Sequence, residues 1–481
     1  MATFTSLGVG SGLDLNTIVT KLVQLERQPL VQMQRQANTL QTQVSSFGQI
    51  SSLMSSVQSA ANSLTNPLLW TQSAVSSGDN SVVSVTGGAN VAAGNYAVTV
   101  QALASSQTLA SGSSFGSASA PVGSGTLTLQ LGAWNADQSA FTDKAGSSAV
   151  SIDINSSDTL QNVVEKINGA GAGVTASLVT DASGVRLSLR SSETGAANGF
   201  KLTANDNDGN NTDGAGLSIV AFDPPNGATA MQLMQGSADA RARVNGIEVT
   251  SASNTLTGVV EGMTLNLNKV SASAVNVSAS ADRTAVTNAI KTFASAYNAM
   301  AAYIGEQTKY DPTAKAGGVL QGDSAATNLQ SKLRAMLGAS SGASSTFARL
   351  SDVGLQVQRD GTLKIDEAKL TSATSNLVEL KKAFSNNDSG NTGNDGFARR
   401  YSNLATQVLG TDGLVATRQA GLRKLISKNG EEQTKINDRA DSFQARLVAQ
   451  YTALDANVAK LNSLSSYVNQ QVTMWTNARN N

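Results

Sequence analysis

Ten apolar residues, Met33, Ala37, Leu40, Val44, Phe47, Ile50, Met54, Val57, Ala61 and Leu64, follow one another in steps of three and four. Such steps keep all of them on one stripe of an α-helix, with a single stammer where two threes adjoin at Phe47 to Ile50. Ahead of them Ile18, Leu22 and Leu25 make a shorter helix of the same kind, with Asp14 or Asn16 placed to cap it. Pro29 lies between the two and is expected to break or restart the helix. Asn66-Pro67 is expected to end it.

The far end of the chain mirrors this pattern. Ile436, Ala440, Phe443, Leu447, Tyr451, Leu454, Val458, Leu461, Leu464, Val468, Val472 and Trp475 again step by threes and fours, about eleven turns at 3.6 residues each. A third stripe runs through Val286, Ile290, Phe293, Tyr297, Met300 and Ile304. One amphipathic stripe is explained by its own domain core. Two long stripes at opposite ends of a chain each need a partner, and each is available to the other. The expectation is an antiparallel coiled coil and helical bundle joining the termini. Its candidate assembly residues are Leu40, Val44, Phe47, Ile50, Val57 and Leu64 at one end and Phe443, Leu447, Leu454, Val458, Leu461 and Val468 at the other.

The centre has a period of two. It appears at Val83 and Val85, at Tyr96, Val98 and Val100, at Leu127, Leu129 and Leu131, and at Val150, Ile152 and Ile154. It continues at Val185, Leu187 and Leu189, at Leu265 and Leu267, and at Val275 and Val277. These predict short antiparallel strands between Gly, Asn, Asp and Ser turns. One short helix interrupts them, with Asp158 as the expected cap, Gln161 as its capping-box partner and Gly169 at its end. Residues 204–214 and 385–396, rich in Asn, Asp and Gly, read as turns or mobile tips. The fold class is therefore α+β and multidomain, with β-rich head domains inserted between helical ends.

At 481 residues the chain exceeds what one core organises. Charge is uneven: residues 1–75 carry three basic and two acidic groups, 76–280 eight and fifteen, and 281–481 twenty-three and seventeen. An acidic middle between near-neutral and basic ends indicates at least two kinds of module. With 34 basic and 34 acidic residues overall, the net charge that drives phosphate binding is missing, so nucleic acid is not expected as a partner. Neither Cys nor His is present, which removes disulfides, thiolate nucleophiles, imidazole bases and the commonest zinc ligands. No apolar run reaches the length of a membrane span, so membrane insertion is not expected, and residues 1–15 lack the basic and apolar regions of a signal peptide.

Candidate chemistry fails on spacing. Setting Gly209 on the glycine of a calcium loop puts Ala204 and Ala215 at the first and last ligand positions, where neither side chain can bind. Gly169, Gly171 and Gly173 follow a helix instead of bridging strand to helix, and Gly8, Gly10 and Gly12 have no strand before them. With aromatics at 4% a sugar cleft is not expected. The chain reads as a non-enzyme without cofactors or metals.

Several segments in order are similar to the flagellar filament cap proteins, also called the flagellar hook-associated cap family. Residues 6–22, SLGVGSGLDLNTIVTKL, resemble the family's opening, and 93–104, AGNYAVTVQALA, its first head strand. Residues 157–176 resemble an Ile-Asn motif shared with flagellins, here Ile167-Asn168. Residues 238–267 carry Asp239-Ala240, Val244-Asn245-Gly246, Ser253-Asn254 and Gly262-x-Thr264-Leu265 at the family's spacing. Phe293 with Tyr297-Asn298, Leu320 with Gly322-Asp323-Ser324, Asp352-Val353-Gly354, and Asp360-Gly361-Thr362-Leu363 complete the pattern.

The resemblance implies a division into terminal coiled-coil segments (1–40 and 440–481), a helical leg (41–76 and 281–439), a proximal β head (77–109 and 236–280) and a distal β-rich head (110–235). It also implies a homo-oligomeric ring at the distal tip of the bacterial flagellum, outside the cell, that retains exported flagellin and promotes its polymerisation. The implied partners are flagellin, the hook-filament junction proteins, an export chaperone and the flagellar type III export apparatus. A surface adhesin whose exposed head binds host mucin or another ligand is the alternative.

Overall fold

Asp14 opens the first helix. Its Oδ1 accepts the Thr17 backbone N–H at 3.0 Å, satisfying one of the donors that a helix start leaves free. From there one helix, α1, runs Leu15–Thr65. The computed structural model describes residues 14–313 and 315–479. Pro29 sits inside α1 without ending it, contrary to the expected break. Its missing N–H and ring clash cost about 3 kcal/mol or more, but Val19 and Val23 are buried before it and Leu30 after it, so packing keeps the helix continuous. Asn66 turns extended, with ψ 119°, ahead of Pro67 and closes the helix as expected.

Eight further α-helices follow among the described residues: α2 (Pro67–Thr71), α3 (Leu160–Gly169), α4 (Arg283–Thr308), α5 (Ser324–Gly338), α6 (Glu367–Ala373), α7 (Leu377–Ser385), α8 (Phe397–Leu409) and α9 (Leu414–Arg479). By their internal packing the elements fall into two units, Met1–Asn66 with Val286–Asn481, and Pro67–Ala285.

In the first unit α1 and α9 run antiparallel, as successive contacts show: Arg27 with Asp441, Gln36 with Asn429, and the Val44 carbonyl with Gln419. The later half of α1 packs against α8, which also contacts α7 and α9. The α4 stripe, Val286 to Ile304, is wholly buried. Tyr401 of α8 presents its ring edge-on to Phe293 at 5.2 Å and to Tyr297 at 5.7 Å, an arrangement that the ring quadrupoles favour. Residues 385–396 form hydrogen-bonded turns, one of the two forms expected of them. Asp395 is buried, its Oδ1 accepts the Asp388 N–H at 2.9 Å, and its carbonyl accepts from Ser341 and Arg400.

The second unit is antiparallel β throughout its named strands. A five-stranded sheet has the spatial order Ser73–Ser77, Val275–Ala281, Gly94–Ala102, Ala240–Val244, Ile247–Ser251. A three-stranded sheet of Thr255–Val260, Met263–Leu267 and Val83–Gly87 accompanies it, and a core including Val83, Val98, Ala242, Leu265 and Val277 forms. Between Ala102 and Ala240 the chain builds another core from two four-stranded sheets and α3, where Leu127, Leu129, Leu160, Ile167, Leu189 and Phe200 are buried together.

Two local expectations in this unit are corrected. Thr159, not Asp158, caps α3: its Oγ1 accepts the Asn162 N–H while the Asn162 side chain accepts the Thr159 N–H at 3.0 Å. Asp158 is taken up by the Asn155 N–H at 2.6 Å and by Lys166, and its own N–H donates to the Asn155 carbonyl, so it makes no box with Gln161. Residues 204–206 complete the strand Gly199–Asp206. Asp206 is buried and accepts from Asp208 and Ser218 backbone N–H groups, so the segment after it is a tied turn.

Two predictions follow from these cores. Residues 67–285 hold their own buried apolar residues and should unfold cooperatively with β-type circular dichroism when expressed alone; a helical spectrum or a non-cooperative melt would contradict this. Burial pushes the Tyr297 hydroxyl up to about 12 from 10.0 and the Tyr401 hydroxyl well above its usual value. The folded state thus holds these protons more tightly than the unfolded chain. Their contribution to stability is complete below pH 10 and is lost as pH rises toward 12. In an alkaline titration two of the seven tyrosines should ionise only as near-ultraviolet dichroism collapses. Seven ionising together before any loss of structure would refute it.

Candidate assembly surface

The candidate assembly residues divide three ways. Phe47, Ile50, Val57 and Leu64 are wholly buried, Val44 nearly so and Leu40 half-buried, and they serve the core of the helical unit. Phe443 and Leu447 join a small cluster with Val19, Leu22, Val23, Ala440, Val448 and Tyr451. Leu454, Leu461 and Val468 are 46%, 64% and 49% exposed, and Val458 is half-buried.

The expected antiparallel pairing of the terminal helices holds, but these two sets of residues do not face each other. With residue 27 opposite 441 and residue 36 opposite 429, Phe443 lies level with the low twenties of α1 and never reaches Leu40 to Leu64. The reason is the length of α9, which starts 22 residues before Ile436, at Leu414. Its first turns, with Val415 and Leu422 buried, lie beside the later half of α1. Past Tyr451 the same stripe continues through Leu454, Leu461, Leu464, Val468, Val472 and Trp475, each 46% to 75% exposed. Asp455 and Lys460 are the charged residues between Arg446 and Arg479. An apolar helical face of this length in water is a candidate interaction surface.

The motifs singled out in the sequence turn out to be amide clamps. The Asn168 side chain accepts the Ala176 N–H at 2.7 Å and donates to its carbonyl at 2.9 Å. Asn254 does the same to Ala104 at 2.7 and 3.0 Å, and Asn298 to Leu363 at 2.7 and 2.8 Å. Each copies with one side chain the two-bond pairing of neighbouring strands. Asn245, at φ 51°, and Gly246, at φ 85°, make the left-handed hairpin turn, and the Asn245 side chain accepts the Ala97 N–H at 2.9 Å. Sequence patterning missed a further clamp, the wholly buried Gln107 on Phe200 at 2.8 and 2.9 Å.

The Gly322-Asp323-Ser324 motif holds the helical unit in a different way. Asp323 Oδ1 accepts the Ala325 N–H at 2.9 Å and the Ala326 N–H at 3.2 Å, capping α5. Its Oδ2 accepts Arg418 Nε of α9 at 2.8 Å. The Asp323 side chain is 2% exposed, so this is a buried charge with its partner supplied. Nothing in the sequence pointed to Arg418, which lies 95 positions away. Among the described residues no group of three or more His, Cys, Asp or Glu is placed to hold a metal, and no helix is long and apolar enough to cross a membrane.

Comparison with known proteins places these clamps in a family. The N-terminal domain pattern of flagellar hook-associated protein 2 matches residues 11–107 and the C-terminal pattern residues 237–463. The flagellin hook IN motif matches residues 140–193. Flagellar hook-associated protein 2 of Escherichia coli O157:H7 is 30% identical, with all of both chains covered. The chain belongs to the flagellar hook-associated protein 2 family. The Escherichia coli K12 relative is 29% identical over the full length of both chains. The B-type relative of Pseudomonas aeruginosa PAO1 is 29% identical over 94% of each. The crystal structure of the D1-D2-D3 domains of the Escherichia coli flagellar cap protein FliD superimposes with a TM-score of 0.62 at 25% identity, covering 79% of this chain and 99% of that one.

Within the family regions, Asn245, Asn254, Asn298, Asp323 and Arg418 all fall in the C-terminal match, and Asn168 in the IN motif. Replacing Asp323 by Ala removes a cap and leaves the Arg418 guanidinium to be hydrated instead of paired. The expected loss is about 1–2 kcal/mol of helical-unit stability, while Arg418→Met, which leaves the buried Asp323 carboxylate without its charged partner, should cost more, about 3 kcal/mol. Equal denaturation midpoints for Asp323→Ala and the unaltered chain would refute the role.

Proposed function

We propose that this chain caps the distal end of the bacterial flagellar filament, as its relatives' names indicate, and acts structurally, not by catalysis. The observation that carries the reading is the open apolar seam from Leu454 to Trp475, which a monomer has no reason to keep in water. In this reading several copies form a ring, the terminal seams engage the filament, and exported flagellin is retained beneath the ring until it joins the lattice. The segments 1–40 and 440–481 are the terminal coiled coil, 41–76 and 281–439 the leg, 77–109 with 236–280 the proximal head, and 110–235 the distal head.

A chain lacking Cys and carrying long helices rich in Ala, Gln and Ser suits passage as an unfolded polypeptide. Delivery by the flagellar type III apparatus with an export chaperone, and a place beyond the hook-filament junction proteins, belong to the same proposal. The adhesin alternative draws only on the acidic excess of the inserted unit.

Leu454→Asp tests the seam. Because Leu454 is 46% exposed, the charge meets water in the free subunit, and the melting temperature should stay within about 1 °C of the parent. In the assembled seam the same carboxylate would be buried without a partner. The expected outcome is a stable, exported protein in cells that leak monomeric flagellin into the medium and swim poorly. Normal filaments with this variant would refute the reading, and normal filaments in a strain lacking the chain would leave adhesion as the role.

A further inference from the structure

The pairing of α1 with α9 has two buried apolar parts, and between them an interval whose apolar residues, Met33, Ala37, Leu40, Ile426 and Ile436 among them, are at most half-buried. Inward, Val44, Phe47 and Ile50 of α1 and Val415 and Leu422 of α9 are buried. Outward, Val19 and Val23 are buried with Ala440 and Leu447. In between, α1 buries no residue from Val31 to Gln43, and from Arg423 to Arg439 α9 buries only Asn429. Asn429 is 7% exposed. Its Nδ2 donates to Gln36 Oε1 at 3.2 Å across the pair, and its Oδ1 accepts Gln433 Nε2 at 2.5 Å. The residue after it is Gly430, and the outer end of the interval on α1 is marked by Pro29, so the two weakest helix formers flank the polar layer.

We propose that the Gln36–Asn429–Gln433 layer is a built-in break, at which the outer helix pair, residues 15–30 with 436–451, opens as a unit of its own while the bundle inward of Val44 and Leu422 stays folded. Cooperative unfolding spreads through contiguous apolar contact, because opening one part strips its neighbour of buried surface. The layer interrupts full burial, leaving only half-buried apolar residues across it. Its hydrogen bonds are between neutral amides, for which water substitutes at little net cost once the pair separates. An apolar residue at the centre of the layer would instead join the two clusters into one. The break therefore fixes where the arm carrying the exposed seam parts from the bundle, and it rests on the helix pair alone, whatever the arm engages.

Amide hydrogen exchange on the full-length chain, read peptide by peptide, tests this with Asn429→Leu and Asn429→Gln. In the unaltered protein, peptides from 15–30 and 436–451 should exchange through an opening that leaves peptides from 47–64 and 415–422 protected. Asn429→Leu should slow exchange in the outer pair by about tenfold with the inner peptides unchanged, and Asn429→Gln should keep the parent pattern. The proposal is overturned if outer and inner peptides of the unaltered protein exchange together. It is also overturned if Asn429→Leu leaves the outer pair unchanged or speeds exchange in either part, since Asn429 would then be a supporting member of one continuous core.

Discussion

The antiparallel pairing of α1 with α9 is the constraint on which the remaining structure depends. When the two ends of a chain pair with each other, everything between them must leave the pair and return to it. Residues 67–285 accordingly form a unit of their own inserted between helices of the other. Packing against α9, and in its later half against α8, supplies most of what makes α1 stable. Its composition of Ser, Gln, Ala and Asn gives isolated segments little to gain from folding, whereas each of Phe47, Ile50, Val57 and Leu64 removed from water contributes about 1.5–3 kcal/mol.

The chain has few aromatics, 4%, and few charges, 14%, so its cores have little large apolar surface to bury. Side-chain amides compensate. Asn168, Asn254, Asn298 and Gln107 each fasten a distant backbone segment through two hydrogen bonds, which specifies one arrangement without requiring bulky packing. Such a buried polar pair is costly to break, because a lone amide in the interior keeps its desolvation penalty. That is a physical reason for a small polar residue to be held at these places where an aliphatic one of similar size would bury as well.

Periodicity made the architecture legible. Stripes of three and four gave α1, α4 and α9, and alternation of Val, Leu and Ile gave the strands around Val98, Leu129, Ile152, Leu187 and Val277. Strands built from smaller residues were not legible: Ala240, Ala242 and Val244 alternate faithfully, but alanine marks a strand no better than a helix. The antiparallel pairing of the ends was legible and its register was not, because the stripe from Ile436 onward leaves out the turns with Val415 and Leu422 that lie beside Val44. Pro29 shows tertiary packing overriding a local breaker. The clamps were visible only as residues in a family-like order, since their partners are backbone groups, as far as 150 positions away for Asn254 and Ala104, and no side-chain pattern announces a backbone partner. The open seam was legible as a stripe, while its exposure was not, because a sequence shows that a face needs a partner without showing whether it has one.

The central claim is that the face from Leu454 to Trp475 is open in the free subunit and covered in the assembled flagellar tip. Because the chain has no Cys, Leu461→Cys provides a single attachment point for a nitroxide spin label on a residue that is 64% exposed. Accessibility of the label to a water-soluble paramagnetic relaxant, measured by electron paramagnetic resonance in the free protein and on filaments capped with it, reads the claim directly. The account predicts a mobile, accessible label in the free subunit that becomes immobile and shielded at the filament tip. A label equally accessible in both states would contradict it.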